Sequence, residues 1–340
     1  MGVGRRIPAT AAWAERPFEA TVRLLERRIA ATVALLCLTV GGCSLQEITI
    51  VDVEDVVVAE VYVQIGEGFL GGDRVTAFLH RTVGGLGGGF HPVPGAKIVI
   101  SQDRGPSVEL AETAIERCVS VTPEGGTGSC YWMAPAASVG FRPGDHLRLR
   151  IDLASGGVLT SSTIVPGDFA VLGITEGAQC LLAPSTPFTV RWTGSEGTWA
   201  YVNETLILGM KNAFLPLGIE VESDTLELLG LSISASDTTI VFPGEFGIFT
   251  RFELDQDLAT SLQAGLPPGT RAPVTISATD RNYVNWARGG TFNPSGQVRV
   301  PSVRGDGTGV FASTVTRTFE VVVNPAPLGG SVSAPACPAS

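Results

Sequence analysis

The stretch His146-Leu147-Arg148-Leu149-Arg150-Ile151-Asp152-Leu153 alternates polar and apolar residues without a break. Successive side chains of a strand point to opposite faces. The run therefore predicts a half-buried strand with Leu147, Leu149, Ile151 and Leu153 inward. Ser155-Gly156-Gly157 then turns the chain and residues 158–164 return, which makes a hairpin. The pattern recurs along the chain. Further β-rich runs cover 56–65, 74–82, 96–101, 188–193, 200–208, 239–242, 273–278 and 318–323, separated by turns drawn from 42 Gly and 22 Pro. Only 255–264 reads as a helix. Many short strands with such punctuation predict an all-β chain built of antiparallel β-sandwiches.

A domain break is expected at 173–179. Val165-Pro166-Gly167-Asp168-Phe169 closes one β unit, and Pro184-Ser185-Thr186-Pro187 leads into a new alternating run, Phe188-Thr189-Val190-Arg191-Trp192. Trp192 followed by Tyr201 resembles the core Trp and Tyr of fibronectin-type-III-like modules. The expected plan is two antiparallel sandwiches, immunoglobulin/fibronectin-III-like or prealbumin-like, over 56–172 and 173–324. A mobile tail rich in Pro, Gly, Ala and Ser follows over 325–340.

The N-terminal region carries a different signal. Arg27 and Arg28 precede an uncharged run, 29–42, that ends in Leu38-Thr39-Val40-Gly41-Gly42-Cys43. A basic flank, a short apolar core and small residues at a cut site are the parts of a secretory signal, and the run is too short to span a bilayer. The motif resembles the lipobox of bacterial lipoproteins. That resemblance implies removal of 1–42, lipidation of Cys43 (a diacylglyceryl thioether, palmitate-type chains), and a tether over 43–55. Ser44, in place of an aspartate retention signal, implies the outer membrane as the destination.

Net charge is −10, and removal of 1–42 would take away six Arg and three Glu and leave −13. Phosphate backbones are bound by Lys and Arg, so a nucleic-acid partner is excluded on charge. No polybasic segment would help hold an anionic membrane, which leaves the acyl chains on Cys43 as the membrane contact. With Cys37 removed and Cys43 acylated, four cysteines remain, an even set that reads as disulfides outside the cytoplasm. Cys118 and Cys130 flank the turn-rich tip 123–128, where a local bridge would contribute about 3 kcal/mol. Cys180 then pairs with Cys337 by elimination.

No catalytic set assembles from the sequence. Gly84-Gly85-Leu86-Gly87-Gly88-Gly89 lacks phosphate-loop spacing and reads as a hairpin loop. His80, His91 and His146 are scattered, and the cysteines lack zinc-ligand spacing, so neither metal nor cofactor is assigned. The acidic clusters at 52–55, at 253–257 and around Asp306 read as solvated faces rather than calcium loops. Tyr131, Trp132, Tyr283 and Trp286 serve either a binding surface or the core, and periodicity does not decide between them. The leading function is a noncatalytic binding or structural role. The alternative is a glycan- or peptide-acting hydrolase that pairs Asp255 with Asp280 or Glu253.

Several segments together resemble the uncharacterised bacterial outer-membrane lipoproteins grouped under domain of unknown function 4249. They are Val57-Val58-Ala59-Glu60-Val61, Pro94-Gly95-Ala96-Lys97-Ile98-Val99-Ile100, Phe141-Arg142-Pro143-Gly144-Asp145 and Gly307-Thr308-Gly309-Val310-Phe311-Ala312-Ser313. Ala312 departs from the family's glycine. The resemblance implies a β-rich envelope protein that works beside an outer-membrane transporter, and it brings no catalytic residues; a binding role for the anchored β domains leaves either such a transporter or an extracellular ligand as the partner.

Overall fold

A computed structural model describes residues 55–66, 73–82, 91–103, 105–119, 128–133, 140–232, 234–247, 256–288, 299–323 and 334–338. The chain is mostly β. Strands are β1 Val57–Ile65, β2 Arg74–Arg81, β3 His91–Pro92, β4 Lys97–Gln102, β5 Ser107–Thr113, β6 Ser129–Trp132, β7 His146–Asp152 and β8 Val158–Ile164. They continue as β9 Gln179–Leu182, β10 Phe188–Arg191, β11 Ala200–Leu208, β12 Thr225–Ser232, β13 Thr239–Phe242, β14 Arg271–Thr279, β15 Arg304–Gly305 and β16 Gly307–Val323. The helices are α1 Met210–Phe214, α2 Gln256–Ala264 and α3 Arg281–Arg288.

The alternating run at 146–152 forms β7, with Leu147, Leu149 and Ile151 buried and His146, Arg148 and Arg150 outside. Its hairpin with β8 turns through Gly156, whose φ of 94° suits glycine. From there the ladder runs β8-β7-β4-β5-β6-β2-β1-β16. It then returns to its start, because β15, one residue before β16, pairs with β8 (Arg304 opposite Thr160). Asp306 holds that corner by accepting the Val158 N–H at 2.8 Å. Closure of this kind removes sheet edges that would otherwise lie open to other chains.

β16 is the seam of the molecule. Its first half, Gly307 to Val315, lies parallel to β1. Its second half pairs antiparallel with β14 on the other edge, and its last residues run parallel to β9. Gly309 lets the first half approach: its φ is +135°, and a Cβ there would sit 2.0 Å from the Ala59 carbonyl oxygen. Beyond β16 the sheet continues through β14, β11 and β12, and a separate β10-β13 ribbon covers it. Phe188 of the ribbon meets Phe319 edge-on, and Trp192 meets Tyr201.

These connections revise the expected plan in two respects. Asp52–Ser340 forms one compact unit with a continuous core from Val57 to Val323, where two sandwiches over 56–172 and 173–324 were expected. The reason is β16, which comes from the second half of the chain and completes the strand ladder of the first. The sheet is also mixed rather than purely antiparallel, since β1 and β9 both lie parallel to β16.

Two disulfides are present, Cys118–Cys130 and Cys180–Cys337. The second closes a separation of 157 residues. A loop of that length corresponds to about 5 kcal/mol in the chain-entropy model. It fixes the segment around Ala336, which bridges to Leu181, against β9. Cys43 and the whole segment before it lie outside the described residues.

Candidate functional site

Helix α3 is short, and its sequence, Arg-Asn-Tyr-Val-Asn-Trp-Ala-Arg, contains few strong helix formers. Its anchoring explains how it holds. Asp280 caps the helix, with Oδ1 accepting the Tyr283 N–H at 2.9 Å. The Asp280 N–H donates to the Ser313 carbonyl on β16 at 3.1 Å. Thr163 of β8 donates its hydroxyl to Asp280 Oδ2 and lies 3.0 Å from the Ser313 hydroxyl. Asn282 Nδ2 donates to the Ser162 and Phe311 carbonyls at 2.9 and 2.8 Å. The helix is thereby clamped across β8 and β16. Burial pushes the Asp280 carboxyl up to about 6, and the hydrogen bonds from Thr163 and the backbone partly offset it.

The helix separates two clefts. Tyr283, Trp286 and Ala287, spaced three and four apart, share one face. They border a groove of about 440 Å³ over the outer face of β1, β11 and β14, where Glu60, Tyr62 and Glu204 rise from the sheet. Trp286 Nε1 donates to Glu60 Oε1 at 3.3 Å, and Arg299 pairs with Glu60 at 3.5 Å while lying over the Trp286 ring at 4.7 Å. Tyr62 and Tyr283 meet edge-on with centroids 6.2 Å apart. Burial raises both phenols, helped by Glu60 at Tyr62 and by Glu204 at Tyr283. Burial also raises the Glu204 carboxyl, and neighbouring Glu227 adds to it.

Arg281, Asn282 and Asn285 point to the other side. There a trough of about 730 Å³ runs beside β8 and β15, lined also by Arg148, Ser161 and Arg304. It adjoins a cleft of about 560 Å³ that includes Asp103, His146 and Trp199. Arg148 pairs with Asp103 at 2.7 Å, and the Arg281 guanidinium lies 5.0 Å from the Trp199 ring centre.

The residues singled out from sequence scatter. Glu253 and Asp255 lie outside the described residues, so the carboxylate pairs drawn with Asp280 are not seen. Asp280 is a buried cap that borders the cleft of about 560 Å³, its carboxylate oxygens accepting from the Tyr283 N–H and the Thr163 hydroxyl. His80 is buried in β2, His91 is exposed at β3, and His146 borders the smaller cleft. Among the described residues, no group of three or more His, Cys, Asp or Glu is placed to hold a metal. Asp55 pairs with Arg81 at 2.9 Å, and Asp306 is spent on the β8 corner. Of the four aromatics, Tyr131 belongs to the core, its hydroxyl donating to the Val93 carbonyl at 2.8 Å. Trp132 stacks under Arg117, while Tyr283 and Trp286 line the groove. Sequence reasoning missed α3. Its signal was present in Asp280 as a helix cap followed by apolar residues at 283, 284, 286 and 287.

No protein-family model matches the chain, and no curated protein matches it. Among solved structures, the fibronectin(III)-like modules of Clostridium thermocellum CbhA align over 81% of this chain and 94% of theirs, at 10% identity and a TM-score of 0.21.

Proposed function

We propose that this is a lipid-anchored protein of the bacterial outer membrane, held by acyl chains on Cys43, with a noncatalytic binding or structural role. The observation that carries the reading is the pair of disulfides, Cys118–Cys130 and Cys180–Cys337. Structural disulfides persist in oxidising compartments, which agrees with export through the signal at 29–43. The resemblance to the lipoproteins of domain of unknown function 4249 belongs to the same reading, as does a partner that is an outer-membrane transporter or an extracellular ligand. The noncatalytic part is supported by Asp280, whose carboxyl is engaged in capping α3. Expression of the wild type and Cys43→Ser in a two-membrane bacterium, with labelled palmitate and membrane fractionation, tests the proposal. The wild type should carry label in the outer-membrane fraction and the variant should be unlabelled and soluble. A variant that stays membrane-bound, or a wild type without label, overturns it.

A second reading, a glycan- or peptide-acting hydrolase, is favoured by one observation. Glu60 and Glu204 line the same groove, and Glu204 holds its proton more tightly than an ordinary carboxyl. A pair of carboxylates across one groove is the working arrangement of glycoside hydrolysis. Turnover of a glycan or peptide library that disappears in Glu204→Gln would favour this reading over the first.

A further inference from the structure

We propose that the trough between β8, β15 and the first turn of α3 binds an anionic saccharide, a sugar phosphate or uronate, through Arg281 and Arg304. Three arginines line it, Arg148, Arg281 and Arg304, and no carboxylate does, on a chain whose net charge is −10. The strand register sets their places. Arg304 stands opposite Thr160 on one side of β8, and Arg148 stands opposite Ser162 on the other. Arg281 comes from above, positioned by the Asp280 cap and the Asn282 clamp on either side of it.

The partner census decides what is missing. Arg148 is engaged by Asp103 and its side chain is 70% exposed. Among the described residues, Arg281 and Arg304 have no carboxylate partner. Several nearby polar groups are engaged elsewhere: the Ser161 hydroxyl donates to the Ser302 carbonyl, the Ser302 hydroxyl accepts from the Phe311 N–H, and Asn282 Nδ2 holds the clamp. Arg281 and Arg304 are both exposed, so water serves their donors, and an anion that takes the water's place would meet donors only. The planar fork of a guanidinium matches the two oxygens of a carboxylate or phosphate. Trp199, 42% exposed, lies in the adjoining cleft, which shares Arg148, Ser162, Arg281 and Asn282 with the trough. The Arg281 guanidinium lies over one face of its ring at 5.0 Å, and Asp103 and Asp280 border the same cleft, so a sugar ring carrying the anion would meet the exposed part of Trp199 beside the charge. This goes beyond the lipoprotein reading, and its test does not depend on anchoring.

The experiment is calorimetric titration of the full chain, in nonionic detergent at low salt, with glucose 6-phosphate, glucuronate and glucose. At least one of the two anions should bind about tenfold or more tightly than neutral glucose, and binding should weaken as salt screens the contact. Arg281→Gln and Arg304→Gln should each weaken the anion about fivefold or more, and Arg304→Lys, which keeps charge but loses the fork, should fall between. Arg299→Gln, in the other groove, should leave it unchanged. Thermal unfolding of each variant confirms that it is folded, and Arg281→Gln and Arg304→Lys stand in if Arg304→Gln is not. No preference for either anion over glucose, or an equal loss in Arg299→Gln, overturns the proposal.

Discussion

On one side of α3, Tyr283 and Trp286 face Glu60 and Glu204 across the groove. On the other, Arg281 and Asn285 face arginines and hydroxyls of β7, β8 and β15. The same eight residues wall both clefts, and the helical period sends alternate members to each. The strands beneath finish the contrast, since the outer positions of β1 and β11 present acids and phenols while those of β7 and β15 present arginines. Net charge summed over the chain hides this. An acidic total is compatible with a trough lined by three arginines, although Asp103, paired with Arg148 at 2.7 Å, lies within the Debye length of about 10 Å and offsets part of their charge.

Changes beneath the helix should disturb both sides, and changes on one face only one. The largest effect is expected at Asp280. Its pKa is raised on folding from 3.8 to about 6, so the folded state binds the proton more tightly than the unfolded one. This group costs nothing at pH below 4, and its ionisation removes stability as pH rises from about 4 to 6, by up to about 3 kcal/mol. Asp280→Asn should flatten that slope, so that urea unfolding at pH 4, 6 and 8 shows the variant gaining on the wild type as pH rises. A slope unchanged in the variant would assign the pH dependence elsewhere.

Asn282→Ala removes two hydrogen bonds from the clamp and should cost about 1–2 kcal/mol. Because the helix would then shift on its seat, tryptophan fluorescence should change at both Trp199 and Trp286, which single-Trp versions would resolve. Trp286→Phe should cost about 1 kcal/mol, through the lost Glu60 hydrogen bond and a weaker stack with Arg299. Chemical shifts should move around Tyr62 and stay put at Thr160. The smallest effect belongs to Arg281→Gln, under about 1 kcal/mol for an exposed cation over a ring. Its signature is a change in Trp199 emission with none in Trp286. Mixing of the two signatures would show that the clefts are not independent.

The fold class was legible because burial on one face of a strand leaves a two-residue period. The runs at 146–152, 200–208 and 239–242 coincide with β7, β11 and β13. The helix read at 255–264 is α2, Gln256–Ala264. The Cys118–Cys130 bond was also legible, since its loop is short. Partnership was not legible. The segment Gly307 to Ser313 carries its glycines where β16 passes close to β1, and sequence cannot say which strand will be its neighbour, so two domains were read where one seam exists. The site was harder still. Glu60, Glu204, Tyr283 and Arg299 come from four distant segments, and only pairing of β1, β16, β14 and β11 sets them around one groove. Arg148, Arg281 and Arg304 are likewise ordinary surface arginines until the ladder closes.

The seam at β16 also bears on how the chain is made. One edge of β1 is matched by residues 307–315, some 250 positions later in the chain. Until those residues arrive, the nascent chain carries an open strand edge that invites the wrong neighbours. The strands from β1 to β8 can pair among themselves earlier, but the β1–β16 edge cannot. The protein's native ladder can form only after residues 307–315 have been made, and any cell that makes it must keep the growing chain from aggregating until then.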